Sequence, residues 1–159
     1  MSCCENIPEF KFALAEGLGD EFLPKKSFET DTGWDVCCAE PRGVELFPFE
    51  YAKIRLGFKI FTPPGWWVSL HPRSSFFIKR FMHVLIGTID EEYSQELMLC
   101  GQYIPESKKS LKIGFGDRIG QIIPVKRFEM VVKNISNEEF DDLCRRRDAK
   151  RSGGFGSTD

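Results

Sequence analysis

Carboxylates, guanidinium groups, hydroxyls and glycine backbone recur together in five short segments of this chain. These are the groups that hold polyanions and the water around a metal ion. In order, the segments are Asp31-Thr32-Gly33-Trp34-Asp35-Val36, Pro72-Arg73-Ser74-Ser75, Gly87-Thr88-Ile89-Asp90-Glu91-Glu92-Tyr93, Gly116-Asp117-Arg118-Ile119-Gly120-Gln121, and Lys150-Arg151-Ser152-Gly153-Gly154-Phe155-Gly156-Ser157-Thr158-Asp159. The last has the makings of a phosphate wrapper. Glycine lets successive backbone N–H groups converge on an anion, and Ser157 and Thr158 add hydroxyl donors. A P-loop is excluded, because no Gly-Lys-Ser/Thr follows and no strand–helix pair frames the glycines. Phe155 is the telling residue there, since an aromatic ring in a polar tail has no core to fill. Arg73, Ser74 and Ser75 offer a guanidinium and two hydroxyls suited to phosphate oxygens. Each segment alone also has a plain structural reading: a capped turn, a solvated acidic tip, a structural Trp-Asp, a loose tail. Five of them in one order do not.

Together the five resemble the signature motifs of the trimeric dUTP diphosphatases (dUTPases), from residue 31 to the end of the chain. The resemblance implies a jelly-roll homotrimer that hydrolyses dUTP to dUMP and pyrophosphate with Mg²⁺. It casts Asp90 as the carboxylate that orients and deprotonates the water attacking the α-phosphorus. Aspartate carboxylates are weak bases, so catalysis must rest mainly on positioning and on metal-neutralised phosphates. Tyr93 would pack beneath the deoxyribose and leave no room for a 2′-hydroxyl. Backbone groups of Thr88 and Ile89, and of Met98 across the turn, would read the uracil edge. Buried mismatched donors and acceptors would then reject cytosine.

The resemblance further implies that Asp35 holds a water of the Mg²⁺, in keeping with that ion's retained hydration. Arg73, Ser74, Ser75 and Gln121 would contact phosphate oxygens, and Arg118 would brace the site. In the tail, Phe155 would stack on uracil while Gly156, Ser157 and Thr158 wrap the phosphates. The Gly87–Tyr93 segment reads as strand, tight turn, strand, and family precedent builds each site from three chains: the Asp90–Tyr93 hairpin from one, motifs one, two and four from a second, and the glycine arm from a third. The chain departs from the pattern in places. Gln95 stands where a Gly is usual, so the backbone there must avoid a Gly-only conformation. Val84 replaces a frequent Asn, and Asp159 a common Gly. Lys150 falls where an Arg normally grips the γ-phosphate and Arg151 where a Gly is usual, so either residue is a candidate for that grip; Lys lacks the bidentate fork.

Two rivals stand beside this reading. A dCTP deaminase, or a bifunctional deaminase–dUTPase, has a related fold and a catalytic Glu near the pyrimidine; Glu96 and Glu92 are candidates, but the glycine–phenylalanine tail argues against it. A catalytically silent dUTP-binding regulator is the other, and the presence of Asp90 disfavours it.

The elements that must position these groups are mostly strands. The chain has 159 residues, 42% of them hydrophobic, enough for one globular domain. Alternation over residues 9–15 puts Phe10, Phe12 and Leu14 on one face of a half-buried strand. Short β-type runs recur at 34–38, 44–47, 51–55, 58–61, 66–70, 82–86, 96–99, 111–113, 119–124 and 128–132. Pro63-Pro64-Gly65 and Gly116-Asp117 supply turns between them. Many short strands at such spacing predict an all-β fold, a distorted jelly-roll barrel or sandwich. One helix is expected, over about 137–146. Ser136-Asn137-Glu138-Glu139 is a capping-box sequence, Ile135 and Phe140 suit a hydrophobic staple, and Asp141–Arg145 and Asp142–Arg146 are i,i+4 pairs. The expected domain spans residues 1–147, followed by a flexible arm over 148–159 that closes a neighbouring subunit's site.

The formal net charge of −2 gives no bulk attraction to nucleic acid or an anionic membrane. The basic Arg145-Arg146-Arg147 run lies beside the acidic 138–142 stretch and reads as a self-compensated, solvated segment. The six cysteines (Cys3, Cys4, Cys37, Cys38, Cys100, Cys144) show no metal spacing. Vicinal cysteines within a strand point to opposite faces and cannot readily bridge. Reduced thiols, with no signal peptide and no membrane-spanning run in view, lead to the expectation of a soluble protein of the cytoplasm, the nucleus left open.

Overall fold

The computed structural model describes residues 7–147. Two compact units divide the chain, one ending at Phe128 and the other beginning at Glu129. The first carries eleven strands: β1 (Lys11–Leu14), β2 (Trp34–Cys37), β3 (Val44–Leu46), β4 (Tyr51–Arg55), β5 (Phe58–Phe61), β6 (Trp66–Pro72), β7 (Met82–Val84), β8 (Gly87–Ile89), β9 (Met98–Tyr103), β10 (Leu111–Ile113) and β11 (Arg118–Lys126). They form antiparallel sheets in the orders β2-β11-β6-β8, β4-β9-β7, β1-β5 and β10-β3. This is the all-β, jelly-roll-like architecture expected from the strand spacing.

Alternation decides what each face carries. Val36, Val68, Leu70 and Ile122 of the four-stranded sheet are buried in the core, with Ile54, Leu99, Met82 and Tyr103 of the three-stranded sheet and Phe58 and Ile60 of β5. Successive strand residues point to opposite faces. Asp35, His71 and Gln121, the neighbours of those core residues, therefore share the outer face. Asp35 lies opposite Gln121, and Gln121 opposite His71, in one row across three strands. A slip of one residue in β11 would send Gln121 into the core, so the hydrophobic pattern itself sets the site's register. Gly120 belongs to the same constraint, since a Cβ there would lie 2.8 Å from the His71 carbonyl oxygen.

Several details differ from the expectation. A short helix, α1 (Ser74–Ile78), occupies the place read as a turn; Phe76, 1% exposed, anchors it in the core while Arg73 stands at its N-cap. The segment Gly87–Tyr93 is not the tip of a paired hairpin. β8 pairs with β6, and β9 with β4 and β7, so residues 90–97 cross between sheets. The strand expected at 128–132 is absent: those residues have no ladder partner among the described residues, and Val131 is 96% exposed. Apolar β-branched content makes a strand only when an edge is there to receive it. Gln95 avoids a positive φ; among the described residues only Phe49 and Phe81 adopt one without being glycine. Gly65 and Gly116 both do, as their turns require.

The second unit holds α2 (Asn137–Arg146), whose bounds match the expectation. Ser136 Oγ accepts the Glu139 N–H at 3.1 Å, the first half of a capping box. Arg145 pairs with Asp142, one turn back at i−3, rather than with Asp141. The helix belongs to this unit, and the arm expected from residue 148 lies outside the described residues. No helix among the described residues is long and apolar enough to cross a membrane.

Candidate active site

Three of the sequence segments converge at one end of the four-stranded sheet. Asp35 leaves β2 on the outer face, Arg73 follows β6 at the start of α1, and Arg118 opens β11. The Asp35 Oδ2 atom accepts from Arg73 Nη1, from Arg118 Nη1 at 3.3 Å and from Ser27 Oγ at 3.3 Å. Arg118 Nη1 also donates to Ser27 Oγ at 3.1 Å. Asp35 Oδ1 has no partner among the described residues, which leaves one carboxylate oxygen for solvent. The knot ties four side chains, Ser27, Asp35, Arg73 and Arg118, into one charge-assisted network. Around it lies a cleft of about 350 Å³, lined by Ser27, Phe28, Asp31, Thr32, Gly33, Asp35, Arg73, Ser74 and Gln121. Ser75 is exposed at the start of α1 and does not line it.

The loop before β2 is shaped to close this cleft. Asp31 N–H donates to the Phe28 carbonyl at 3.0 Å while Asp31 Oδ2 accepts the Phe28 N–H at 2.9 Å, a doubly bonded turn that folds residues 28–31 on themselves. Gly33 then passes against Gln121. A Cβ at residue 33 would stand 2.2 Å from Gln121 Oε1, so any side chain there would push the amide aside.

Asp90 and Tyr93 stand elsewhere on the same chain. Asp90 follows Ile89, which pairs with Val68, whereas Gln121 pairs with His71 and Arg73 lies two residues farther on. At ~3.3 Å per strand residue, Asp90 is roughly 13 Å from the Gln121 row and about 20 Å from Arg73 along β6. It lines a separate cleft of about 360 Å³ with Trp66, Trp67, Thr88, Glu91, Glu92 and Arg127. Tyr93 lines an adjoining groove of about 500 Å³ with Lys11, Phe61, Thr62 and Pro64. Met98 opens β9 opposite Arg55, in the other sheet. The fold thus gathers Asp35, Arg73, Ser74, Arg118 and Gln121, leaves Asp90, Thr88, Ile89 and Tyr93 toward the other end of β6, and puts Met98 on the three-stranded sheet. Lys150, Arg151, Phe155, Gly156, Ser157 and Thr158 lie outside the described residues.

Sequence reasoning missed Ser27, which ties Asp35 to an arginine 91 positions away. No local signal could have found it, because only the sheet brings the two segments together. It also missed that Glu96 is structural: its carboxylate takes Arg55 in two parallel bonds of 3.0 Å and the Gly57 N–H at 3.1 Å.

Electrostatics beside the cleft are set by ion pairs. The Arg80 guanidinium, 2.8 Å from Asp117 Oδ2, holds the Asp117 carboxyl below the usual carboxylate range, and the Gly114 N–H assists. A depressed folded-state pKa stabilises the fold above the unfolded value and is lost as pH falls through the folded one. Wild-type Tm is therefore expected to fall more steeply than that of Asp117→Asn as pH drops below about 5. Melting curves between neutral and acid pH check this; parallel curves would contradict it. Burial pushes the Cys37 and Cys38 thiols up, so neither is an activated nucleophile. Among the described residues no three His, Cys, Asp or Glu side chains cluster to hold a metal directly.

Acid, amide and guanidinium groups gathered at one end of a jelly-roll-like sheet are a donor set suited to an anionic ligand in an all-β protein. The dUTPase family model matches residues 21–159. A deoxyuridine 5′-triphosphate nucleotidohydrolase of Hydrogenobaculum sp. (strain Y04AAS1) is 34% identical over 144 residues, 87% of this chain and 91% of its own length. The chain belongs to the dUTPase family. Solved structures agree in fold. A mutant dUTPase from phage phi11 of S. aureus, described with the coordination of a structural Mg(II) ion, superposes with a TM-score of 0.68 at 20% identity, over 81% of this chain and 97% of that one. The Staphylococcus bacteriophage 80alpha dUTPase with dUpNHpp gives 0.66 at 22%, over 81% and 89%.

Proposed function

We propose that the protein hydrolyses dUTP to dUMP and pyrophosphate in a homotrimer with shared active sites. The observation that carries this reading is the cleft in which Arg73, Ser74 and Gln121 are held around the Asp35 knot, in a chain of the dUTPase family. Arg73 and Ser74 offer donors to phosphate oxygens, with Ser75 next to them in sequence and exposed, and Gln121 aimed by the β11 register. Water attacks the α-phosphorus, its proton passes to the Asp90 carboxylate, and the bond from that phosphorus to the bridging oxygen breaks, releasing pyrophosphate.

The donor set fits a hydrated Mg²⁺: Asp35 Oδ1 has no partner among the described residues, which suits a bond to a metal-bound water. When bound, the ion would neutralise phosphate charge and fix the shape of the triphosphate.

Base selection follows from the crossing between sheets. β8 is an edge strand, paired only with β6 among the described residues, and Met98 pairs only with Arg55. In an edge strand alternate residues turn their N–H and C=O away from the ladder, so the outward-facing groups along Thr88 and Ile89, with those of Met98, can accept a uracil edge in place of a missing strand partner. Tyr93, beside them, suits the deoxyribose.

The trimer is favoured by the distance between the two loci. A water at the α-phosphorus and the phosphate donors must lie within a few ångströms of one another, while one chain keeps Asp90 roughly 13–20 Å from the cradle. Two neighbouring copies can supply what one cannot, and the glycine arm (Lys150 or Arg151, with Phe155, Gly156, Ser157 and Thr158) would come from a third. Free thiols at Cys37, Cys38, Cys100 and Cys144 support a reducing, cytoplasmic setting. Pyrophosphate release measured across dUTP, dCTP, dTTP and UTP tests the proposal. Release from dUTP alone, with a mass of three chains in solution, is expected. Ammonia from dCTP would establish the deaminase instead, and tight dUTP binding without turnover would establish a silent regulator.

A further inference from the structure

We propose that Glu91 and Arg127 form a clamp that aims the Asp90 carboxylate, and that both are positioning residues for hydrolysis. The inference rests on the reading of Asp90 as the base. Asp90's carboxylate has no hydrogen-bond partner among the described residues, so its direction is inherited from the backbone of the 90–93 turn, where Asp90 C=O accepts the Tyr93 N–H at 3.1 Å. Glu91 sits inside that turn and is held at both ends. Its carbonyl accepts from Thr62 Oγ1 at 3.1 Å, and Thr62 is itself buried. Its Oε2 atom accepts from the Gly65 N–H at 3.0 Å and from Arg127 Nη1 at 2.7 Å. Arg127 N–H donates to the Gly65 carbonyl at 2.8 Å, which closes a ring through Gly65, Glu91 and Arg127.

The ring links three elements that otherwise meet only through the sheet. Gly65 is the positive-φ corner before β6, Arg127 follows β11, and Glu91 follows β8. Thr88, Trp66, Trp67 and Asp90 line the same cleft as the clamp. The Arg127 side chain is half exposed, and a pair of that kind contributes little to global stability. Its effect is local: it sets where residue 90 stands, and a misplacement of about 1 Å can cost about 10²-fold in rate.

The test is steady-state kinetics and melting of Glu91→Ala, Arg127→Ala, the double variant and Glu91→Gln, each in the full chain. The expected result is a kcat for Glu91→Ala lower by about 10- to 100-fold, with the dUTP KM within about twofold and Tm nearly unchanged. Glu91→Gln, which can still accept from Gly65, should keep kcat within about threefold of wild type. The double variant should be no slower than Glu91→Ala, because both deletions break one ring. Wild-type kcat in Glu91→Ala, a loss that tracks Tm, or additive single losses would each overturn the clamp. Asp90→Asn separates the two ideas: if it turns over normally, the base assignment fails, whereas an inactive Asp90→Asn beside a normal Glu91→Ala defeats the clamp alone.

Discussion

Asp90→Asn is expected to lower kcat by about 10³-fold or more while dUTP still binds. The substitution keeps the shape of the side chain and removes its ability to take a proton from water. The phosphate donors belong to a locus at the far end of β6, so binding should survive the change. Single-turnover kinetics with dUTP, alongside binding of a non-hydrolysable analogue, separate the two effects. Near-normal turnover would remove Asp90 from the mechanism, and lost binding would mean that it holds substrate instead. No backbone change should accompany the variant, because among the described residues the Asp90 side chain has no bond to lose.

Ending the chain after Arg147 is expected to cripple turnover and leave the body folded. The deletion removes every glycine of the last segment together with Phe155, and with them the candidate wrapper for the phosphates. Among the described residues the core that stabilises the first unit draws on positions between Phe10 and Ile122. A circular-dichroism melt that matches the full chain, beside a kcat/KM reduced by orders of magnitude, would establish the arm as a working part. Phe155→Ala isolates the stacking contribution, which should appear as a smaller loss; aromatic–base stacking amounts to ~1–3 kcal/mol in general. A truncated chain with unchanged kcat/KM would show the segment to be ornamental.

Much of the fold was legible before any coordinates. The strands at 51–55, 58–61 and 111–113 have the bounds that alternation and turn residues predict. The α2 helix was equally legible, since its cap, acidic first turn and basic last turn are local signals. What failed was non-local. The run at 128–132 has strand composition but no partner edge, and Ser74–Ile78 became a helix because Phe76 found the core. The 87–93 segment reads as a hairpin, yet its two flanks joined different sheets; a turn motif specifies a reversal, not which neighbour each flank will pair with.

The candidate site divides along the same line. The resemblance of the five motifs, in their order along the chain, named Asp35, Arg73, Ser74, Gln121, Asp90 and Tyr93, whereas residue type alone left a plain structural reading open for each segment. Their grouping was beyond the sequence. Ser27 joined the Asp35 knot from across the sheet, Glu96 was taken by Arg55, and Asp90 came to rest a strand's length from the cradle. Chemical identity is a property of each side chain and survives in one dimension. Proximity arises from strand register and sheet order, which depend on the whole hydrophobic pattern, and it is settled only when the core packs.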